Sequence, residues 1–251
     1  MKMFSSRILS ECGIGHGFVG MEFEGGENIN FSRGNDVLRA RSYALLENEI
    51  GMEVLGLDQV HSSDILVVDD EARFSVSGNG YDISRLPKGD GIICTKRGFA
   101  IGIQTADCVP VLFTDKGKSV IAGVHSGWRG TFGGISQKMI GCLEDLGFRA
   151  GDLVAVLGPS IAQRDYEVDV DFREKFVGMD RASGVFFYPS EDGKYYFDNS
   201  GYIRSELERL GVGLIEDIGV NTYSEGSLYS YRGAKKGVKG DGTNVSFICL
   251  K

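Results

Sequence analysis

The chain has 251 residues, with 27 Lys and Arg against 35 Asp and Glu, for a formal net charge of −8. That length holds a sizeable core without disulfide staples, and 42% apolar with 25% charged residues excludes wholesale disorder. The acidic balance excludes a general nucleic-acid binder, which needs a basic surface to displace counterions, but it leaves room for a local basic pocket.

Glycine is the outlier, with 37 residues against 4 prolines and no fixed period. Such a chain makes many tight turns and is not a repeat array. Cys12, Cys94, Cys108, Cys142 and Cys249 form no C-x-x-C pair. Met1–Ser10 lacks the apolar run of a secretory leader. Both features point to a reducing, cytoplasmic setting. No stretch approaches the ~18 apolar residues of a membrane span.

Residues 1–251 show no Pro/Ser-rich linker and no shift in composition, so they read as one domain. Loops are expected at Gly25–Asn35, Ser75–Asp90, Pro189–Lys194 and Gly233–Thr243. The last carries Lys235, Lys236 and Lys239 among glycines, and reads as a mobile hairpin or lid, or as a plain solvated loop. Ile92 and Ile93 begin a short strand, and Phe99–Gln104 is another. Val109–Phe113 follows, and Pro110 marks it as an edge or kinked strand. Ser119–Val124 is a strand ending at His125. Across Thr131–Leu146, Ile135, Met139, Leu143 and Leu146 recur at helical spacing, and Gly147 stops the helix. Leu153–Leu157 is a further strand. Val170–Val177 and Ser200–Leu210 are shorter helices, the second with Ser200 as its cap. Thr243–Leu250 is a closing strand. The alternation predicts an α/β layered fold, with a mixed sheet if the early region adds antiparallel pairs.

The chain contains three histidines, His16, His61 and His125. His125 ends a strand before Ser-Gly-Trp-Arg-Gly, and strand ends in α/β sheets are where ligands commonly bind. Cys108 stands beside Asp107 between two apolar segments, and His61 precedes the strand Ile65–Val68. Two imidazoles and a thiolate suit zinc. The same residues also fit a Cys108 nucleophile with His125 as base and Asp107 or Gln59 as orienter. A third reading is a small buried cysteine with two surface histidines. A zinc-bound thiolate is no longer a free nucleophile, so the two chemical readings compete.

Other residues carry paired readings. Trp128 stacks on a planar substrate or anchors the core. Arg129 binds an anion or pairs with a carboxylate. Gly158-Pro159-Ser160 is a turn near a site or a plain loop. Glu167, in Tyr166-Glu167-Val168, orients a metal ligand, carries a proton, or sits at a surface helix start. Tyr229-Ser230-Tyr231-Arg232 forms a stacking and phosphate-binding rim or a packed strand.

QVH at 59–61, DGIICT at 90–95, TADCVPVLFTD at 105–115 and HSGWRGTFGGI at 125–135 occur in that order, followed by GPSI at 158–161, YEV at 166–168 and SYR at 230–232. This series resembles the bacterial laccase-domain family, called polyphenol oxidases or purine nucleoside phosphorylases, with the peptidoglycan editing factor among its members. The resemblance implies a single three-layer α/β/α domain with a mixed sheet. It implies one metal ion, zinc or else copper, on His61, Cys108 and His125. It implies phosphorolysis of adenosine, inosine, guanosine and methylthioadenosine, with adenosine deamination alongside. Three protein ligands leave a fourth position open, and such a zinc brings the pKa of water to roughly 7. Asp107 or Glu167 is then the expected proton carrier, and Arg41, Arg129 and Arg232 the expected substrate-binding cations.

The family's Thr-Arg after His-Gly-Phe is Val19-Gly20 here, its Asn-Arg is Ala40-Arg41, and its Cys-Thr-Tyr is Asn221-Thr222-Tyr223. Its paired Arg after Ser-Tyr is Arg232-Gly233, and its Thr-Gly-Arg is Asp241-Gly242-Thr243. The ligand triad is therefore kept while several cationic positions are lost. Purine nucleosides and phosphate are the expected partners, without nucleic acid or membrane, in a monomer or homodimer. The alternatives are a cysteine-type hydrolase of a cell-wall precursor and a catalytically weakened nucleoside-binding protein. Copper-dependent phenol oxidation would need more than one mononuclear site.

Overall fold

The computed structural model describes residues 3–23, 27–32 and 34–251. Residues 25, 26 and 33 of the expected loop Gly25–Asn35, and Met1 and Lys2 of the amino-terminal stretch, lie outside the described residues. The chain opens with β1 (Met3–Phe4), α1 (Arg7–Glu11), β2 (His16–Val19), β3 (Glu22–Phe23), β4 (Glu27–Asn28), α2 (Asp36–Ile50), β5 (Glu53–Leu55), β6 (Ile65–Val67) and α3 (Glu71–Phe74). Next come β7 (Gly91–Cys94), β8 (Phe99–Thr105), β9 (Val109–Asp115), β10 (Ile121–Ser126), α4 (Trp128–Phe132), α5 (Ile135–Asp145) and β11 (Leu153–Leu157). The last third holds β12 (Glu167–Val168), α6 (Val170–Met179), β13 (Phe187–Pro189), β14 (Tyr195–Phe197), α7 (Asn199–Arg209), β15 (Leu214–Asp217), α8 (Tyr231–Lys235) and β16 (Asn244–Leu250).

The strands form two main sheets, ordered β1-β2-β16-β8-β5 and β15-β11-β9-β10-β7-β6. Both are mixed: β5 runs parallel to β8, and β6 to β7, while the central pairs are antiparallel. The α/β class with mixed sheets is as expected, but the strands are shared between two stacked sheets where the patterning implied one. Side-chain alternation shows how they stack. Val154 and Val156 of β11 and Leu112 of β9 pack with Ile101, Ile103, Ile248 and Leu250 of the first sheet. Leu153, Ala155 and Leu157 of β11 face the other way, onto Ile135, Met139 and Leu143 of α5 and Ile203 and Leu207 of α7. On the far side, Val245 and Phe247 of β16 pack with Tyr43 and Leu46 of α2. The layers are therefore helix, sheet, sheet, helix. With both faces of the central strands buried, those strands read as unbroken apolar runs, which conceals whether the second face meets a helix or a sheet. Among the described residues, no helix is long and apolar enough to cross a membrane.

Several local expectations are corrected. The strand containing Pro110 is central, between β11 and β10. Pro110 is tolerated because the β11 ladder starts one residue later, at Val111 with Leu157, and the Pro110 carbonyl still accepts from Gly158 N–H. The helix expected over Thr131–Leu146 is split into α4 and α5, because Gly134 adopts a left-handed φ of 74° between them. The cap of α7 is Asp198, whose carboxylate accepts from Gly201 N–H, while Ser200 Oγ pairs with Ser160 Oγ. The segment Gly233–Thr243, expected as a mobile hairpin or a solvated loop, begins inside α8. It is anchored by Lys239 Nζ, which donates to the carbonyls of Thr222, Glu225 and Leu228 at 2.6, 2.5 and 2.7 Å.

Candidate metal centre

Two chain crossings between the sheets meet at one end of the sandwich. The segment from β5 to β6 carries His61, and the short link from β8 to β9 carries Cys108. His125 comes from the end of β10, where it is paired in register with Pro110. It shares the parity of Ile121 and so belongs to the face between the sheets. The ligand atoms of His61, Cys108 and His125 all lie within 4.8 Å of one another, and the His61 and His125 rings meet edge to face at 4.7 Å. Exposure is graded, with His125 buried, Cys108 half-buried and His61 exposed, so the centre opens to solvent on the His61 side.

Two ligand segments carry backbone that non-glycine residues rarely adopt. His61 has φ 62° and Asp107, next to Cys108, has φ 83°. Asp107 is held there by its side chain, which accepts from Thr222 Oγ1 and from Arg232 N–H, both at 2.6 Å. His61 is held by Asp90, a fully buried carboxylate just before β7. Asp90 Oδ1 accepts from His61 N–H at 3.0 Å and binds His125 Nδ1 at 2.7 Å. Burial alone would raise the Asp90 pKa, but the His125 hydrogen bond and charge and the Ser62 contacts outweigh it and keep the carboxylate ionised.

The same balance governs the thiol. Burial pushes Cys108 up, yet the His125 charge and hydrogen bonds from His125 and His61 bring it below the usual cysteine value. Burial pushes His125 down, and Cys108 and Asp90 more than reverse this. The donor set is thus a thiolate beside two histidine rings, and with Nδ1 on Asp90, His125 meets Cys108 through Nε2. Those ligand types, held this close, fit zinc or copper. Gly127 completes the room: a Cβ there would stand 2.9 Å from Cys108 Sγ and 3.3 Å from His61 Cδ2.

One wall is aromatic. Phe176, Phe187, Phe197 and Tyr202 form a cluster with Trp128, Phe132, Tyr166 and Phe172 packed against it. Cations lie over the outer rings: Arg129 and Lys175 over Trp128 at 4.6 and 5.7 Å, and Arg232 over Tyr166 at 5.5 Å. Lys235 lies over Tyr231 and Lys236 over Tyr223. No carboxylate forms an ion pair with these five cations among the described residues. Tyr166 Oη makes no hydrogen bond among the described residues. Burial raises its pKa, and the charges of Cys108, Arg232, Asp107 and Arg129 all reach it.

The structure thus brings His61, Cys108 and His125 together and sets Arg129 and Arg232 beside Tyr166. Arg232 also donates to the carbonyls of Asp165 and Glu167. Arg41 is exposed on α2, on the outer face of the first sheet. Glu167 accepts from Ser190 Oγ at 2.9 Å and Lys194 Nζ at 3.1 Å, so both its oxygens are engaged away from the thiol. The orienter of His125 is Asp90. Gln59 is bonded twice to the Gln104 backbone, and Asp107 is bonded to Thr222 and Arg232. His16 is structural, with Nδ1 on the Ile14 carbonyl and Nε2 accepting from Ser6 N–H. Sequence reasoning passed over Asp90, Gly127 and Tyr166 as functional residues. A carboxylate one glycine ahead of the apolar Ile92–Ile93 was the available signal for the first.

Residues 24–251 match the family described as multi-copper polyphenol oxidoreductase laccase. The chain is 33% identical over 178 residues to a purine nucleoside phosphorylase of Rickettsia conorii, covering 70% of this chain and 69% of that protein. It is 31% identical over 227 residues to a purine nucleoside phosphorylase of Clostridium acetobutylicum, covering 89% and 86%. Among solved structures, a hypothetical protein of Bacillus licheniformis, YfiH, superposes with a TM-score of 0.85 at 24% identity, over 99% of this chain and 96% of that one, and so shares the fold.

Proposed function

The chain belongs to the multi-copper polyphenol oxidoreductase laccase family, and from that premise we propose that it is a metal-dependent purine nucleoside phosphorylase. Its substrates are adenosine, inosine, guanosine and methylthioadenosine, with adenosine deamination at the same centre. The observation that carries the reading is the convergence of the His61, Cys108 and His125 ligand atoms within 4.8 Å. Bound there, zinc or copper supplies Lewis-acid polarisation and eases the deprotonation of water.

The chain's own residues supply the rest. The cations over Trp128, Tyr166, Tyr223 and Tyr231 attract a phosphate dianion to an otherwise acidic protein. They stand in for the family arginines that are missing here. In phosphorolysis a phosphate oxygen bonds to ribose C1′ while the C1′–N9 bond breaks and its electrons remain on the purine. We assign Tyr166 Oη, an unengaged donor, to hydrogen-bond the departing base. In deamination water adds at C6 and ammonia leaves. The five free cysteines support a cytoplasmic setting.

A second reading rests on the hydrogen-bonded series Cys108, His125 and Asp90 in the metal-free chain. It is a thiolate–imidazolium nucleophile of the kind used by cysteine hydrolases.

The test is base release from inosine with and without phosphate, by zinc-loaded and chelator-treated protein. We expect hypoxanthine and ribose 1-phosphate in equal amounts, lost on chelation and restored by zinc. Tyr166→Phe should lower kcat by about 10- to 100-fold, the cost of one hydrogen bond made in the transition state, with metal content unchanged. A chelator-resistant activity abolished by thiol alkylation would overturn this reading in favour of the hydrolase.

A further inference from the structure

We propose that Asp90 is the positioning residue of the metal centre, a single carboxylate that sets both histidine ligands at once. The inference rests on His61, Cys108 and His125 being that centre.

Oδ1 of Asp90 takes two contacts, one from each histidine: His125 Nδ1 at 2.7 Å and His61 N–H at 3.0 Å. Oδ2 takes three more: Ser62 N–H at 2.6 Å, Ser62 Oγ at 2.9 Å and Val60 N–H at 3.2 Å. Asp90 is fully buried, and these five contacts use all the acceptor capacity of a carboxylate. A sixth tie runs through the backbone, where His125 N–H donates to the Asp90 carbonyl at 2.8 Å.

Two consequences follow for the ligands. Oδ1 also accepts from His61 N–H, so the contact with His125 is a donation from Nδ1–H, and Nε2 is the nitrogen left to face Cys108 and a metal. The ring cannot swing away without breaking a buried, charge-assisted bond. At His61 the left-handed backbone persists because the successive N–H groups of Val60, His61 and Ser62 converge on one anion. The carboxylate therefore chooses the nitrogen that one histidine offers and the loop geometry from which the other is offered. A displacement of Asp90 moves both ligands together, which a bond to a single histidine would not do.

The experiment compares wild type, Asp90→Asn and Ser62→Ala. Asparagine keeps the shape but turns an NH2 either onto the Ser62 and Val60 donors or onto His125 Nδ1–H. Ser62→Ala removes one contact to Oδ2 and leaves both histidine contacts. Zinc affinity is read by competition with a chromophoric chelator, and ligand geometry by the visible bands of the cobalt-substituted protein. We expect Asp90→Asn to lose about 10- to 100-fold in zinc affinity with shifted cobalt bands, and Ser62→Ala to stay within about threefold. A folded Asp90→Asn with wild-type affinity and bands would overturn the proposal while leaving the metal centre intact. Wild type that binds neither ion would overturn both. Should Asp90→Asn fail to fold, nitrogen NMR of histidine-labelled, zinc-loaded wild type decides: a protected proton on His125 Nδ1 supports the assignment, and a protonated Nε2 overturns it.

Discussion

Gly127→Ala isolates the space that the proposed metal centre needs. Gly127 has φ −70° and ψ 164°, extended backbone that alanine adopts without strain. Removing glycine freedom from the unfolded chain should even stabilise by about 0.4–1 kcal/mol. Against this, the new Cβ lies 2.9 Å from Cys108 Sγ and 3.3 Å from His61 Cδ2. Ordinary contact distances are about 3.5–4.0 Å, so the sulfur must retreat by more than half an ångström. Metal sites tolerate displacements of about 0.2 Å. The expected loss is therefore at least that of a disturbed outer partner, about 100-fold in zinc affinity or 2.7 kcal/mol. The metal-free protein should change little in Tm, because Cys108 is half-buried and can yield toward solvent. Chelator competition and thermal unfolding with and without zinc measure the two effects. Zinc affinity within threefold of wild type would show that the sulfur is not a ligand at its present position, and would refute the reasoning.

Two further substitutions test the frame around the centre. Lys239→Met leaves the carbonyls of Thr222, Glu225 and Leu228 without their ammonium donor, and should cost about 1–3 kcal/mol in urea unfolding; a loss below 0.5 kcal/mol would contradict the anchoring role. Glu216 accepts from Ser6 Oγ and the N–H groups of Arg7 and Ile8 at the start of α1. Burial would raise its pKa, but these bonds bring it below the ordinary 4.5. Its contribution is thus complete above 4.5 and fades as pH falls through the lower folded value. Glu216→Gln should be less stable than wild type at pH 7 and the difference should shrink as pH falls below 4.5; a constant difference across that range would contradict the assignment.

Local periodicity made the element types legible where it was strong. Ile135, Met139 and Leu143 lie on the buried face of α5, and the runs around Phe99, Leu153 and Asn244 are strands. The stacking of two sheets was not legible, because Val154 and Leu153 are equally apolar whether the facing layer is sheet or helix. The Gly133-Gly134 pair was the available signal for the division of α4 from α5, but the apolar periodicity of the flanking residues outweighed it, and the left-handed φ of Gly134 makes the break. At the centre, the residue types named His61, Cys108 and His125 as candidate ligands, and the motif order singled them out. Asp90 was passed over because it reaches His125 through strand pairing: β7 and β10 are neighbours, with Gly91 opposite Val124. Sequence proximity favoured Asp107, whose oxygens are engaged elsewhere. The lysine-bearing segment read as mobile because its charge and glycine content are those of a solvated loop, whereas Lys239 is turned inward onto carbonyls.

The most direct test of the metal centre is elemental analysis of tag-free protein, wild type beside Cys108→Ala, after zinc is offered and excess removed. The account predicts about one zinc ion per wild-type chain, lost in the variant while its fold is retained. Wild type without metal, or Cys108→Ala that keeps its full complement, would contradict it.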